Sequence, residues 1–176
     1  MKSLKFDEHD RKKVISEVED HFGVQLSPVG SRRKFLESED GKTFWVLGGY
    51  EDWHGIPPEM LEEEKCRSTN GVLIVAKRYK NRIDIFSGPL QPLIENKKKL
   101  SHTKKGDYQF NINIRGNHLF IKEIQDLSLA KLGEAQYSGE QKDSEKKVQE
   151  IKAVLSKLSP EERRELLEKL VNEQET

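Results

Sequence analysis

Val72-Leu73-Ile74-Val75-Ala76 is the stretch of sequence that decides the fold. It is too continuously apolar for a strand with one wet face, so it predicts a central strand that is buried on both faces. Lys80-Asn81-Arg82 follows as a turn, and Ile83-Asp84-Ile85-Phe86 predicts an antiparallel neighbour. The chain is therefore expected to contain a sheet built around residues 72–76.

One helix and several further strands are predicted around that pair. The helix covers residues 7–21, with Asp7 as its N-cap and Gly23 at its left-handed end. Residues 48–58 crowd glycines, prolines and large aromatic side chains together, and we interpret them as a shaped loop. Further strands are predicted at 24–26, 34–37, 43–47, 108–114 and 119–121, and short helices at 59–64, after Pro89 and at 127–132. The predicted class is α+β, a mostly antiparallel twisted sheet with an N-terminal helix and short flanking helices.

The strand at 108–114 alternates between apolar and amide side chains, which is the period-two pattern of a strand with one wet face. Its apolar side is expected to face the core. Its wet side consists of Gln109, Asn111 and Asn113.

The C-terminal part of the chain predicts a separate helical element. We divide the sequence into an α+β domain at 1–133, a polar linker at 134–143 and a two-helix tail at 144–176. Ser159-Pro160 separates the two tail helices, as a cap followed by a proline in the first turn. A helical hairpin hides only part of its apolar stripes, so the tail is expected to meet the body, another copy of the chain or a different protein.

Composition limits the class of protein. The chain has 176 residues and zero formal net charge, with a slightly basic body and an acidic tail. No apolar run is long enough to cross a bilayer, and the N-terminus lacks the apolar stretch of a secretion signal. The single cysteine, Cys66, cannot form an internal disulfide, so a reducing compartment is expected. These features predict a cytoplasmic protein without a membrane partner.

Catalytic and cofactor motifs are not evident in the sequence. The histidines are scattered, no phosphate-binding glycine loop is present, and no cofactor or metal is expected. A small metal-dependent nuclease remains an alternative, and we leave the enzyme question open while favouring a non-enzyme. The carboxylates and lysines that such a nuclease would use are Glu37, Asp40 and Lys42, or Asp84 with Lys122 and Glu123.

A basic stretch between residues 77 and 105 points instead to nucleic acid. If its charges converge, they form a patch that neutralises phosphates and gains from counterion release. The amides of the wet strand face could bond to base edges, and exposed aromatic rings could stack on an unpaired base. The candidate binding residues are Lys77, Arg78, Lys80, Arg82, Lys97, Lys98, Lys99, Lys104, Lys105, Tyr50, Trp53, Gln109, Asn111 and Asn113. Tyr79 is a further ring that could stack.

A succession of short segments resembles the accessory DNA-recognition modules found beside restriction nucleases. The likeness spans roughly residues 42–130 and carries no catalytic residue. It is carried by Lys42-Thr43-Phe44-Trp45-Val46, Ile56-Pro57-Pro58, Gly71-Val72-Leu73-Ile74-Val75, Ile83-Asp84-Ile85-Phe86, Pro89-Leu90 and Tyr108-Gln109-Phe110-Asn111-Ile112. The resemblance implies a site-recognition or modified-base-sensing role, with catalysis in a separate partner chain.

The sequence thus favours a nucleic-acid-binding module, with DNA favoured over RNA, that acts as a recognition or accessory subunit of a restriction or defence system. One alternative from a different class is a protein-interaction adaptor that self-associates or binds a protein through residues 144–176. The small nuclease is the other alternative.

Overall fold

The computed structural model describes residues 5–62 and 70–136, together with Ser159. The chain divides into two units, Met1–Gln136 and Tyr137–Thr176. The predicted tail helices and linker lie outside the described residues, apart from Ser159 and the first residues of the linker. Within the described part, no helix combines the length and apolar character that crossing a membrane requires.

The described part of the first unit is a mixed α+β fold in which ten strands form one open sheet. Helix α1 (Glu8–Phe22) precedes the strands, and the short helices α2 (Pro58–Glu62) and α3 (Gln91–Glu95) and a 3-10 helix (Lys97–Lys99) interrupt them. The strands are β1 (Leu26–Val29), β2 (Arg32–Ser38), β3 (Thr43–Gly49), β4 (Trp53–Ile56), β5 (Val72–Arg78), β6 (Arg82–Pro89), β7 (Ser101–His102), β8 (Tyr108–Arg115), β9 (His118–Ile121) and β10 (Ser128–Gln136).

The sheet runs in the order β1-β2-β3-β5-β6-β10-β9-β8-β4. The short strand β7 pairs with the first two residues of β8, and β9 pairs with the last four. All pairings are antiparallel except β3 with β5, which are parallel. The prediction of a mostly antiparallel sheet is confirmed. The parallel pair was not predicted, because parallel strands require a crossover connection, and β4 and α2 lie in the chain between β3 and β5.

The central strand is β5, as predicted. Every residue of β5 is buried, because the sheet has apolar cover on both faces at this point. The predicted antiparallel return also exists, and it pairs Arg78 with Ile83 across the turn.

Helix α1 begins and ends where its caps predict. Asp7 and Asp10 form a reciprocal capping box, each side chain accepting a hydrogen bond from the other's backbone N–H. Gly23 adopts a φ of 64° at the other end, which a residue with a Cβ atom reaches only with strain. Val14 and Val18 are fully buried, and the helix contacts β6 and β10.

The sheet has two faces with different cover. We call the face opposite α1 the core face, and it carries the main hydrophobic cluster, which includes Phe35, Trp45, Leu73, Phe86, Phe110 and Leu119. The register places the other face, which we call the outer face, under α1 along β3, β5 and β6. Phe22 of α1, for example, contacts Phe44 with ring centroids 5.3 Å apart.

Two predicted elements were wrong. The stretch at 127–132 is not a helix but the beginning of β10, which pairs with both β9 and β6. The segment at 48–58 is not loop throughout, because Trp53–Ile56 forms strand β4 against β8. In both cases pairing with a distant strand outweighs local preference, which a short segment expresses only weakly.

Candidate nucleic-acid interface

The outer face of β4, β8 and β9 brings together polar and aromatic side chains that the sequence keeps apart. Trp53 lies opposite Asn111 in the register, and Phe120 lies opposite Asn113. The backbone N–H of Ile112 donates to the carbonyl of Asp52 at 2.8 Å, so Trp53 and Asn111 form a non-hydrogen-bonded pair, in which side chains approach most closely.

Trp53 is the exposed large hydrophobic side chain in the part of the chain that the structure describes. It is 43% exposed, whereas Trp45, the other tryptophan, is fully buried in the core. Gly55 follows Trp53 on the same face, and a Cβ atom there would lie 3.8 Å from the indole ring. The indole therefore lies along the strand surface with one side accessible to solvent.

Asn111 is held in place by Glu123. The two carboxylate oxygens of Glu123 accept the backbone N–H of Asn111 at 3.1 and 2.9 Å, and one of them accepts the side-chain Nδ2 at 2.6 Å. Strand β9 ends at Ile121, so this carboxylate replaces the strand partner that Asn111 would otherwise have. One of the two N–H groups of Nδ2 is occupied, which leaves the other N–H as a donor and Oδ1 as an acceptor for a ligand.

Strand β8 has the predicted amide side chains on one face. Phe110 and Ile112 are buried in the core, whereas Gln109, Asn111 and Asn113 are half-buried. Exposed Ser101 flanks Gln109, because its hydroxyl donates to the backbone carbonyl of Gln109 at 3.1 Å.

Lys77 supports this site rather than forming part of an exposed surface. It is buried, with 8% exposure, and its ammonium donates to the carboxylate of Asp52 at 2.6 Å and to the backbone carbonyl of Tyr50. The hydrogen bond from Lys77 is the main reason that the pKa of Asp52 is lowered, and the charge of Lys122 lowers it further. Lys77 thus ties the end of β5 to the residues immediately before Trp53.

Arg78 is also internal, which corrects the prediction of an exposed cluster at the β5–β6 turn. Its guanidinium is 5% exposed and donates through Nε to the buried carboxylate of Asp10 at 3.3 Å. Its Nη1 donates to the backbone carbonyls of Tyr79, Lys80 and Arg82. In this arrangement neither Lys77 nor Arg78 presents a charge to a phosphate, because both lie at the end of a strand that is covered on both faces.

The remaining cations of the turn lie away from the lysine run. Lys80 is exposed, and Arg82 lies over the ring of Tyr79 at 4.8 Å and pairs with Asp84 at 3.1 Å. The carboxylate of Asp84 raises the pKa of Arg82. Because β6 has eight residues, Arg82 at its start lies roughly 23 Å from Pro89 at its end, and the lysine run follows beyond that end, after α3. The predicted single patch is therefore divided.

The lysines after β6 lie in the 3-10 helix and in the turn between β7 and β8. Lys98 and Lys99 are exposed and Lys97 is half-buried in the 3-10 helix, and Lys104 and Lys105 are exposed in the turn before β8. Of these, Lys99 lines a cavity with Lys122, whose backbone N–H donates to the carbonyl of Asn111 at 2.9 Å. From the sequence, Lys122 was a candidate only for the nuclease alternative. Its position beside Asn111 depends on where β9 ends, which no local pattern indicates.

Tyr50 is half-buried, and its hydroxyl donates to the backbone carbonyl of Tyr79 at 3.4 Å. The guanidinium of Arg78 lies 5.8 Å from its ring centroid. Tyr50 therefore covers the internal arginine, while Trp53 is the ring that stays accessible.

His54 faces the core behind Trp53. It is 7% exposed, its ring lies 5.7 Å from that of Phe110, and its Nε2 has no hydrogen-bond partner among the described residues. Burial lowers the pKa of His54 from 6.5 to about 4, and the charges of Lys34 and Lys77 act in the same direction. His54 is therefore a neutral core residue at pH 7.

The carboxylates of the nuclease alternative do not form a metal site within the described residues, where no group of three His, Cys, Asp or Glu side chains is placed to hold a metal ion. Asp84 pairs with Arg82 and with Lys131, at 3.1 Å in each case. Asp40 accepts the hydroxyl of Ser38, which is the main reason that its pKa is lowered.

No protein-family model, curated protein or solved structure matches this chain. The interpretation of the outer face rests on its own geometry.

Proposed function

We propose that this chain is a nucleic-acid-binding module that receives unpaired nucleotides, of DNA in preference to RNA, on the outer face of β4, β8 and β9. It would act as a recognition or accessory subunit, and catalysis would belong to a separate chain. The observation that carries the proposal is Trp53, an exposed indole on a sheet surface beside a row of amides.

Stacking on Trp53 supplies the affinity in this proposal. A large apolar ring left in water on a folded surface usually marks a contact site, and every base has a face that can stack on it. In duplex DNA the base faces are covered by their neighbours, so the ligand must present an unpaired or flipped base.

Amides and lysines supply the remaining contacts. Gln109 and Asn113 offer donors and acceptors to base edges, and Asn111 offers its carbonyl oxygen. Lys98, Lys99 and Lys122 are exposed, Lys99 and Lys122 line the same cavity, and we assign these three cations to phosphates. About three phosphate contacts correspond to a slope of about −2 for log K against log salt with a single strand, a shallower dependence than an extended basic surface would produce.

Tryptophan fluorescence tests the proposal directly. Trp45 is fully buried, so quenching on addition of a single-stranded oligonucleotide reports on Trp53. Trp53→Ala is expected to weaken binding by roughly 5- to 150-fold, the range for loss of one stacked base. Trp53→Phe keeps an aromatic face and is expected to retain most of the affinity, measured by anisotropy of a labelled oligonucleotide.

Lys80→Glu is the matched control for charge, because Lys80 is an exposed lysine at the far end of β6. It is expected to change the affinity much less than Lys122→Glu. Binding of single-stranded DNA, RNA and duplex DNA is compared at the same salt concentration. If no oligonucleotide quenches Trp53, or if Trp53→Ala binds as tightly as the natural sequence, the proposed function is wrong.

A further inference from the structure

A cavity of about 390 Å³ lies next to the proposed strand-binding face. It is bounded on one side by α3 and the 3-10 helix and on the other by the loop that follows β9. Its lining includes Pro92, Asn96, Lys99, Lys122, Glu123 and Asp126. Because Lys122 and Glu123 both bond to Asn111, the cavity opens beside the residue that lies opposite Trp53.

The polar side chains that line this cavity differ in whether they donate or accept hydrogen bonds. One N–H of the Asn96 side-chain Nδ2 donates to the backbone carbonyl of Pro92 at 2.9 Å, which leaves the Asn96 carbonyl oxygen and the second N–H for a ligand. Asp126 contributes an exposed carboxylate, and Glu123 contributes one whose two oxygens already accept from Asn111; both only accept hydrogen bonds when ionised. The cavity therefore offers several acceptors to the polar edge of a ligand.

Two lysines add positive charge at the same place. The side chains of Lys99 and Lys122 are exposed and come from opposite sides of the cavity. Their ammonium groups suit a phosphate, while the half-buried ring of Pro92, which also lines the cavity, provides an apolar surface for a flat ring. One ligand that combines an anion, a flat ring and donor groups is a nucleotide.

We propose that this cavity binds a single nucleotide whose base carries an amino group at C4 of a pyrimidine or C6 of a purine, namely cytosine or adenine. The choice of a nucleotide rests on the proposed function, and the choice of base rests on the acceptors. The amino groups of cytosine and adenine donate to carboxylate and amide oxygens, whereas thymine, uracil and guanine present a carbonyl oxygen at the corresponding position. The nucleotide can belong to a bound strand or be a free mononucleotide, and both sources share this chemistry.

Titration of the full chain with dCMP, dAMP and dTMP tests the cavity separately from the strand. The readouts are heat of binding and the NMR signals of the Asn96 side-chain amide. We expect dCMP and dAMP to bind about 10-fold more tightly than dTMP, which corresponds to one good hydrogen-bonded pair. Lys122→Glu is expected to weaken all three nucleotides, and Lys80→Glu none of them.

Asp126→Asn provides a sharper variant, because asparagine can donate as well as accept. It is expected to reduce the preference for dCMP over dTMP to less than about 3-fold, since an amide can bond to either base edge. A general loss of folding would instead weaken both nucleotides equally, and circular dichroism of the variant checks for it.

Competition with an oligonucleotide shows whether the bound nucleotide belongs to a strand or is free, and it distinguishes the cavity proposal from the proposed function. If dCMP displaces a cytosine-containing oligonucleotide, the cavity receives a nucleotide of the strand; if dCMP binds without displacing it, the ligand is a free nucleotide. If the oligonucleotide quenches Trp53 but no mononucleotide binds and Asp126→Asn changes no base preference, the cavity proposal is overturned while the proposed function stands. If mononucleotides bind but no oligonucleotide does, the proposed function fails and the cavity is a site for free nucleotide.

Discussion

Replacing Asp10 by alanine tests whether the charges at the end of β5 are internal supports of the fold. The carboxylate of Asp10 is 1% exposed and pairs with the guanidinium of Arg78, which is 5% exposed, at 3.3 Å. Removing one partner of a buried pair leaves the other charge without compensation, and costs about 3–5 kcal/mol of unfolding free energy. Arg78 keeps carbonyl partners in the β5–β6 turn, whereas the variant also loses the capping bond that Asp10 accepts from the Asp7 N–H; together we place the loss at about 3 kcal/mol.

The loss should be measured by thermal and urea denaturation of the full chain. For a protein of this size, about 3 kcal/mol corresponds to a fall in Tm of roughly 6–12 °C. The urea midpoint should fall by roughly 1–2 M with an unchanged slope.

The exposed pair between Glu8 and Arg33 supplies a matched control on the same helix. Its atoms lie 3.4 Å apart, but the side chains of Arg33 and Glu8 are 78% and 57% exposed. Exposed pairs contribute about 0–1 kcal/mol, so Glu8→Ala should lower the free energy of unfolding by less than about 1 kcal/mol. Equal destabilisation by Asp10→Ala and Glu8→Ala would refute the assignment of Arg78 as an internal cation. Arg78 would then again be a candidate for binding phosphate.

Three further perturbations follow from the same structure. The pKa of His54 is about 4 in the folded state and 6.5 in the unfolded state, so below pH 6.5 the unfolded state binds more protons. The free energy of unfolding should therefore fall by about 3 kcal/mol between pH 7 and pH 4. Urea titrations at each pH should show a shallower fall for a His54→Phe variant. Gly71→Ala would place a Cβ atom 2.9 Å from the Cδ2 of Leu90, and we expect this overpacking to lower the free energy of unfolding by about 1–3 kcal/mol, with no loss if the neighbouring side chain can move away. Glu123→Ala removes three hydrogen bonds to Asn111, and it should increase amide hydrogen exchange at Asn111 while costing about 1–2 kcal/mol; unchanged exchange there would contradict the role of this carboxylate.

Local signals explain the parts of the fold that could be predicted. The capping box at Asp7 and the left-handed glycine at Gly23 depend on a few adjacent residues, and α1 begins and ends at them. The alternation in β8 and the continuous apolar run in β5 likewise report the burial of each strand without knowledge of its neighbours.

The elements that could not be predicted depend on distant partners. Strand β10 begins with Ser128-Leu129-Ala130-Lys131, whose short apolar pattern suits a helix or a strand until its pairing with β6 and β9 is known. The same holds for β4, where glycine and aromatic residues suggest a loop until Trp53–Ile56 is paired with β8. Trp53 could be named as a candidate from its residue type, but its exposure depends on that pairing.

The basic stretch shows that a run of cations in the sequence does not by itself predict an exposed basic surface. Lys77 and Arg78 continue, without a break, a strand predicted to be buried on both faces, and burial of the strand extends to its last residues. A cation in that position has to find a carboxylate or carbonyl partner, because leaving it buried and unpaired would cost several kcal/mol. Asp52 and Asp10 supply those carboxylates from segments 25 and 68 residues away in the chain, so the pairing cannot be read from local sequence. Lysines in turns and short helices, such as Lys99 and Lys122, have no such requirement, and for this reason the candidate interface is built around them and around Trp53 rather than around the β5–β6 turn.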